Sequence, residues 1–283
     1  MADALGKQSM EIWLSDVRSH VVESGPEVLA LLDIYIGEAC FGRQYVDAEL
    51  GLLPSGASIL EVGAGAMLLS CQFQREGFVV TALEPIGNGF AHFVRMQELV
   101  FERAHILGCA PRILDRRAED LSEADQFDFA FSVNVMEHVQ DVSLCIGNVC
   151  TSIRLGGLYR FACPTFFSKR LTEKLLGAKI FGGKNPAALR DTRNSLNWIN
   201  VLQIRRAVAP DPALKLEFNR AFLISTLERV QTDAGFSSRR SGWIKAAIGI
   251  LIKLHRHHFV RLVPAMCQPV IDCTIRRSVK GVA

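Results

Sequence analysis

The chain lacks the features that mark secreted, membrane-spanning and disulfide-bonded proteins. Its first residues contain no basic start followed by an apolar core, so no signal peptide is predicted. None of its 8 cysteines forms a CxxC pair, and most stand in apolar stretches, where a free cysteine behaves as a small hydrophobic residue. No internal repeat or low-complexity tract occurs. We therefore expect a protein of the reducing cytoplasm, without structural disulfides or a zinc centre.

The chain as a whole has little net charge, but one segment of it is strongly basic. Residues 239–283 contain nine Lys and Arg against a single acid, Asp272, which gives this segment a charge of +8. The first 238 residues hold 23 basic and 28 acidic side chains, a charge of −5. A mildly acidic body is therefore joined to a basic tail.

The most informative stretch that is present is a glycine turn between two apolar runs. Residues 59–62 read ILEV, as in a buried parallel strand, and the turn Gly-Ala-Gly at 63–65 follows. Glycine lets the backbone approach a ligand closely, and the next helix points its N-terminal amides at that ligand. A second apolar run ends in Glu84, 21 residues after Gly63. At that distance an acid commonly takes ribose hydroxyls in nucleotide-binding βαβ units.

The turn is one glycine short of a dinucleotide-binding loop. That fingerprint places a third glycine three positions after the second, where this chain has Leu68. The acid Glu61 would also repel a pyrophosphate, whereas it suits an ammonium group. S-adenosylmethionine carries an amino-acid end and a ribose but no phosphate, so it fits better than an NAD-type cofactor, which stays the alternative.

With these residues in place, the chain resembles the class I S-adenosylmethionine-dependent methyltransferases of the small-molecule type. Further landmarks follow in the family's order. Residues 117–121 (RAEDL) look like its segment after the third strand, 127–139 (FDFAFSVNVMEHV) like its fourth strand and following loop, and 153–161 (IRLGGLYRF) like its turn into the fifth strand. The resemblance covers roughly Leu53 to Pro164.

The pattern predicts an α/β fold, a doubly wound Rossmann-like and mostly parallel sheet with N-terminal helices and a C-terminal helical extension. One N-terminal helix is expected over 8–24 and a second from Val28 to Gly42. A later helix over 220–234 ends at Gly235-Phe236, before the family's sixth strand. Strands are expected at about 58–62, 79–84, 112–115, 127–133 and 157–163.

We divide the chain into a helical cap (1–52), a methyltransferase domain (53–241) and a basic, apolar helical tail (242–283). Within the domain, residues 166–212 interrupt the alternation after the fifth strand. Ligands bind at that edge of such sheets, so a substrate lid is expected there. The alternative is a surface excursion without substrate contact.

The resemblance implies a role for each residue of a cofactor site. Glu61 would hold the ammonium group, directly or through water, and Glu84 would accept both ribose hydroxyls. The other cofactor-binding residues would line the amino-acid end, the ribose, the adenine and the methionine portion: Gly63, Ala64, Gly65, Pro85, Ala118, Glu119, Asn134 and Val135.

The catalytic candidate is His138. Methyl transfer needs an aligned nucleophile, and a general base only where a hydroxyl is protonated at neutral pH. Histidine titrates in that range, although His138 could instead pack beneath the cofactor. In relatives that methylate catechol-type or RNA hydroxyls, an acid three residues before Glu137 helps hold a divalent metal. Here that residue is Asn134, a poorer ligand for a hard cation, so no metal is predicted.

The tail contains an apolar helix from Trp243 to Leu254 that is too short and too interrupted by lysines to span a bilayer. Lys245, Gly249 and Lys253 form a polar stripe on it. The predicted apolar face, which either packs on the domain or a homodimer partner or lies in a membrane interface, runs through Trp243, Ile244, Ile248 and Leu251.

Together these inferences predict a methyltransferase that is cytoplasmic or peripheral to the membrane. Its acceptor would be a small molecule or a glycan- or lipid-linked molecule, methylated on oxygen in preference to nitrogen. Alternatives are a non-catalytic S-adenosylmethionine-binding protein and an aminopropyltransferase on the same fold. Nucleic acid is not expected as a partner, because aromatic residues are not interleaved with the basic residues of the tail.

Overall fold

A seven-stranded sheet organises the chain. The computed structural model describes residues 2–86, 94–164, 199–219, 224, 227–228, 242–256 and 270–278. The strands are β1 (Ser58–Val62), β2 (Val79–Leu83), β3 (Arg112–Leu114), β4 (Phe127–Val133), β5 (Ile153–Pro164), β6 (Leu214–Phe218) and β7 (Val270–Arg277). The helices are α1 (Ala2–Ser24), α2 (Leu29–Leu50), α3 (Leu68–Arg75), α4 (Val94–Ile106), α5 (Val142–Ser152), α6 (Val201–Val208) and α7 (Gly242–Arg256).

The strand order is β3-β2-β1-β4-β5-β7-β6, and only β7 runs antiparallel to its neighbours. The order reverses at β1, because β2 lies on one side of it and β4 on the other. In register, Glu61 of β1 stands beside Ala82 of β2 and Phe131 of β4. The carboxyl ends of these three strands therefore meet at the topological switch point, where open α/β sheets bind ligands. The predicted doubly wound, mostly parallel sheet is confirmed.

The central strands are apolar on both faces because helices cover both. Along β1, Ile59 belongs to the core beneath α1 to α4, whereas Leu60 belongs to the core beneath α5 and α6. Burying both faces gives the continuous apolar runs from which these strands were predicted.

The two N-terminal helices lie on the first of these faces. Trp13 of α1 is fully buried, and its indole N–H donates to the carbonyl of Leu68 at 2.9 Å, at the start of α3. On α2, a Cβ placed on Gly42 would lie 2.5 Å from Cδ1 of Leu69 and 4.0 Å from Cγ2 of Val133. Helix α2 therefore packs closely over the start of α3 and the end of β4.

The prediction of a wholly helical tail was incomplete. Helix α7 is present, but residues 270–277 form β7, which is inserted between β5 and β6. The expectation that the sixth strand follows Gly235-Phe236 was wrong, since β6 lies earlier, at Leu214–Phe218. Residues 229–241 lie outside the described residues.

The expected lid falls mostly outside the described residues, which resume at 199. From there the chain enters α6, whose start is capped reciprocally by Asn200 and Gln203. Ile199 and Ile204 are fully buried in the core beneath α5. The described part of the predicted insertion therefore packs on the core, and the rest of it, residues 166–198, lies outside the described residues.

Candidate cofactor-binding and catalytic site

The glycine turn between β1 and α3 has the backbone that the sequence predicts. Gly63 and Gly65 have φ angles of 72° and 51°, in the left-handed region that favours glycine. A Cβ on Gly63 would lie 2.4 Å from Cγ2 of Val135, so this position needs glycine for space as well. A Cβ on Gly65 would meet nothing within 4 Å, so the space beside Gly65 is open to a ligand.

Backbone strain marks the two loops that face each other here. Met67 ends the glycine turn with φ 59°, and Asn134 begins the loop after β4 with φ 55°. Non-glycine residues rarely adopt this conformation, and where they do they cluster at binding and catalytic sites.

Glu84 holds the glycine turn in place. Glu84 directly follows β2, and its side chain is 5% exposed. Its Oε2 accepts the backbone N–H of Gly65 at 2.9 Å. On the other side of the same residue, Gln97 donates from Nε2 to the carbonyl of Gly65 at 2.6 Å. Burial raises the pKa of Glu84. The turn is thus preorganised, and Glu84 keeps its Oε1 for a further donor.

Glu61 is buried next to the turn. Its carboxylate accepts a short hydrogen bond from the hydroxyl of Ser70 in α3. Burial, together with nearby Glu84, raises the pKa of Glu61 to about 8. No basic side chain of the described residues offsets the burial of either carboxyl. A buried acid of this kind fits a cationic ligand group, such as the ammonium of an amino acid.

Two residues of helix α2, Tyr35 and Glu38, lie at the cleft formed by the carboxyl ends of β1, β2 and β4. Neither was predicted from the sequence. Tyr35 is half-buried, and its pKa is raised by burial and by the nearby carboxylates of Glu38 and Glu84. Glu38 accepts a hydrogen bond from Nδ2 of Asn134 at 3.2 Å. Their spacing of three residues puts both on one face of the helix, but that pattern does not show which part of the sheet the face covers.

The predicted adenine-side residues lie in the one-turn helix Ala118–Asp120. Ala118 is buried. The carboxylate of Glu119 accepts the backbone N–H groups of Gln140 and Asp141, at 2.7 and 3.3 Å, and so ties this turn to the start of α5. Both bonds use Oε1 of Glu119, and its backbone carbonyl accepts from Nδ2 of Asn148 at 2.6 Å, so a ligand contact of this residue would use Oε2.

Pro85 follows Glu84 and is half-buried. The next residue, Ile86, donates its backbone N–H to Asp115 at 2.8 Å. This bond fixes the chain just after the end of β2.

The titratable residues Glu137 and His138 lie in the one-turn helix Met136–His138, which follows Asn134 and Val135. Burial lowers the pKa of His138, so its imidazole is neutral at pH 7 and can accept a proton. Its neighbour Glu137 is 4% exposed, and burial, together with nearby Glu38, raises its pKa to about 7. Among the described residues, no hydrogen-bond donor reaches Oε2 of Glu137. Glu137 was not predicted from the sequence to act as a base.

The geometry is thus a glycine turn, two buried acids at adjacent strand ends and a titratable pair after β4. A family model for a methyltransferase domain matches residues 38–206. The chain belongs to this family.

Two relatives illustrate its range. An uncharacterized protein of Mycobacterium tuberculosis is 39% identical over 281 residues, which cover 95% of each chain. A ubiquinone biosynthesis O-methyltransferase of Paramagnetospirillum magneticum is 29% identical over 153 residues, which cover 54% of this chain and 57% of that one.

A solved structure has the same fold. It is the geranyl diphosphate C-methyltransferase of Streptomyces coelicolor in complex with Mg²⁺, geranyl diphosphate and S-adenosyl-L-homocysteine. The TM-score is 0.51 at 14% identity, with 88% of this chain and 80% of that chain covered.

The protein is therefore an S-adenosylmethionine-dependent methyltransferase, and its cofactor is S-adenosyl-L-methionine. The class of enzyme and the cofactor that the sequence analysis predicted are confirmed.

Proposed function

We propose that this methyltransferase methylates a hydroxyl group on a small-molecule acceptor or on a glycan- or lipid-linked one. The observation that carries the proposal is the position of His138 on the loop after β4, whose Val135 lies against the glycine turn, and burial lowers the pKa of this imidazole. A hydroxyl needs a base near neutral pH, whereas an uncharged amine does not. The curated relatives named as ubiquinone biosynthesis O-methyltransferases support methylation of oxygen.

The cofactor would lie across the carboxyl ends of β1, β2 and β4. The ammonium group would approach Glu61, and its positive charge would draw the proton from that carboxyl. One ribose hydroxyl would donate to Oε1 of Glu84, because Oε2 already accepts from Gly65. The remaining contacts would come from Gly63, Ala64, Gly65, Pro85, Ala118, Glu119, Asn134 and Val135.

The chain's own part in the reaction is alignment and proton transfer. S-adenosylmethionine supplies an activated methyl group on a sulfonium sulfur. The site would hold the acceptor oxygen in line with that methyl group, so that a carbon–oxygen bond could replace the carbon–sulfur bond, whose electron pair would stay on sulfur. His138 would take the hydroxyl proton. Helix α2 covers the cleft through Tyr35 and Glu38 and would help keep water away from it.

The acceptor's setting is also a proposal. A cytoplasmic enzyme with a basic tail suits an acceptor presented at the inner face of a membrane, and residues 166–198 of the predicted lid would cover it. Pairing of two copies through the tail is the alternative use of that segment.

A panel of phenolic, glycan, lipid and amine acceptors, assayed with methyl-labelled S-adenosylmethionine, tests the proposal. We expect the label in a methyl ether. His138→Gln should lower kcat about a hundredfold, because the base is lost, while leaving cofactor affinity unchanged. Label confined to amine acceptors, or full activity of His138→Gln, would show that hydroxyl methylation with this base is wrong.

A further inference from the structure

Helix α7 has two apolar faces, of which the described residues cover one. Ile248 and Ile252, one turn apart, are 6% and 8% exposed. The large side chains on the opposite side are exposed, with 71% exposure for Trp243 and 59% for Ile250. The single apolar face predicted from the sequence is therefore divided, because Ile248 is buried whereas Trp243 and Leu251 are exposed.

The exposed apolar residues form one continuous stripe. Positions 243, 247, 250 and 254 are spaced by four, three and four residues, which places them one above the other on a helix. Leu251 widens the stripe by one position and is 42% exposed. We call this set the outer stripe: Trp243, Ala247, Ile250, Leu251 and Leu254.

The charged side chains of helix α7 are all basic. Helix α7 contains Lys245, Lys253 and Arg256 but no Asp or Glu, and Lys253 is exposed. The single acid of residues 239–283, Asp272, is 1% exposed and ion-paired with Arg160 at 2.7 Å. It therefore does not offset the positive surface of the tail.

We propose that the outer stripe docks α7 into the interface of a membrane that contains anionic lipids. The helix would lie flat, with Trp243, Ile250 and Leu254 entering the boundary between headgroups and acyl chains and the exposed Lys253 at its flank reaching the headgroups. Within the described chain no helix is suited to crossing a bilayer, so the contact is peripheral.

A lipid surface fits this stripe better than a second copy of the chain. Two copies that met along α7 would bring together two helices with a charge of +3 each, from Lys245, Lys253 and Arg256. Like charges at short range oppose such pairing, whereas an anionic surface attracts the same segment.

Vesicle flotation tests the proposal with the full-length enzyme. We expect it to float with phosphatidylcholine vesicles that contain phosphatidylglycerol at low salt. The bound fraction should fall about tenfold in high salt or without phosphatidylglycerol, because the basic residues then lose their attraction.

A matched pair of double variants locates the docking face. Ile250→Ser with Leu254→Ser should weaken flotation about tenfold, because it removes apolar area from the outer stripe. Leu144→Ser with Leu155→Ser is the control, since these leucines are 48% and 56% exposed but lie on α5 and β5. The control should float like the wild type. All four side chains are exposed, so melting temperature and cofactor affinity should not change.

A second readout follows Trp243 itself. Its fluorescence should shift to shorter wavelength when anionic vesicles are added, and the shift should disappear in Trp243→Phe.

Three results would overturn the proposal: a wild type that does not float with anionic vesicles, a stripe variant that floats like the control, or a stripe variant that only loses self-association in ultracentrifugation. None of these measurements uses a methyl acceptor, so their failure leaves the proposed hydroxyl methylation untouched. Failure of hydroxyl methylation likewise leaves the docking face untouched.

Discussion

Buried carboxylates at two places in this methyltransferase, Asp272 in β7 and the two acids of the cleft, have opposite surroundings. Asp272 of β7 accepts from Arg160 at 2.7 and 3.2 Å, from the hydroxyl of Tyr45 at 2.6 Å and from Nδ2 of Asn219 at 3.0 Å. In the cleft, Glu61 and Glu84 are buried without a basic partner among the described residues.

The difference separates a structural role from a binding role. A buried charge that has a cation and several donors is stabilised where it stands. A buried acid without a cation costs stability, and such acids are concentrated at functional sites. The Asp272 group links α2, β5 and β7, which are far apart in the chain. The cleft acids instead suit groups of a ligand, an ammonium group at Glu61 and ribose hydroxyls at Glu84.

The largest expected effect breaks the structural group. Asp272→Ala should lower the free energy of unfolding by about 3 kcal/mol, because Arg160 keeps only its ion pair with Glu49 at 2.6 Å and the hydroxyl of Tyr45 loses its acceptor. Urea unfolding measures the change. Asp33→Ala, in the exposed ion pair with Arg18, is the control and should leave the midpoint unchanged. Equal effects of both variants would mean that the hydrogen bonds of Asp272 contribute no more to stability than an exposed ion pair.

Removing a cleft acid should affect binding instead of folding. Glu84→Gln should weaken S-adenosylmethionine binding about tenfold, because a charge-assisted hydrogen bond to ribose is replaced by a neutral one. The amide oxygen of glutamine still accepts from Gly65, so the urea midpoint should hold. Calorimetry gives the affinity, and an unchanged value would refute the ribose role of Glu84.

The raised pKa of Glu61 predicts proton release on binding. With a pKa of about 8, Glu61 is mostly protonated at pH 7, and a bound ammonium group favours the ionised form. Affinity should therefore rise from about pH 6 to pH 8. Calorimetry at pH 7 in two buffers of different ionisation enthalpy measures the released proton, which should be absent in Glu61→Gln. Equal heats in both buffers for the wild type would contradict the ammonium role.

The same shift acts on stability. Because the folded pKa of Glu61 lies above its ordinary value of 4.5, the ligand-free protein binds more protons than the unfolded chain between these values. Its stability should fall as pH rises from about 5 to 8. Saturating S-adenosylmethionine should flatten that fall, whereas Glu61→Gln should remove the contribution of this residue.

The smallest expected effect is that of a chelator. Asn134 donates its amide to Glu38 and stands where metal-dependent relatives have an acid. We expect activity to survive EDTA and to gain nothing from Mg²⁺ or Mn²⁺. Activity that is lost in EDTA and restored by either ion would instead make Glu137 and His138 candidate ligands.

Local patterns determined much of this enzyme. The apolar runs that became β1, β2 and β4, and the glycine turn with its positive φ angles, were predictable because each depends on residues close together in the chain. The acids Glu61 and Glu84 could be assigned to strand ends for the same reason, and with the glycines they identified the family. The two apolar faces of α7 are likewise present in its sequence, as apolar residues at helical spacing.

Contacts between distant segments needed the tertiary structure. Strand β7 was missed because its place between β5 and β6 depends on pairing with residues more than fifty positions away. Tyr35 and Glu38 reach the cleft only because α2 packs over the end of β4. The periodicity of α7 shows that it has two apolar faces, but only packing decides that Ile248 is covered while Trp243 is exposed, because burial is a property of the folded chain.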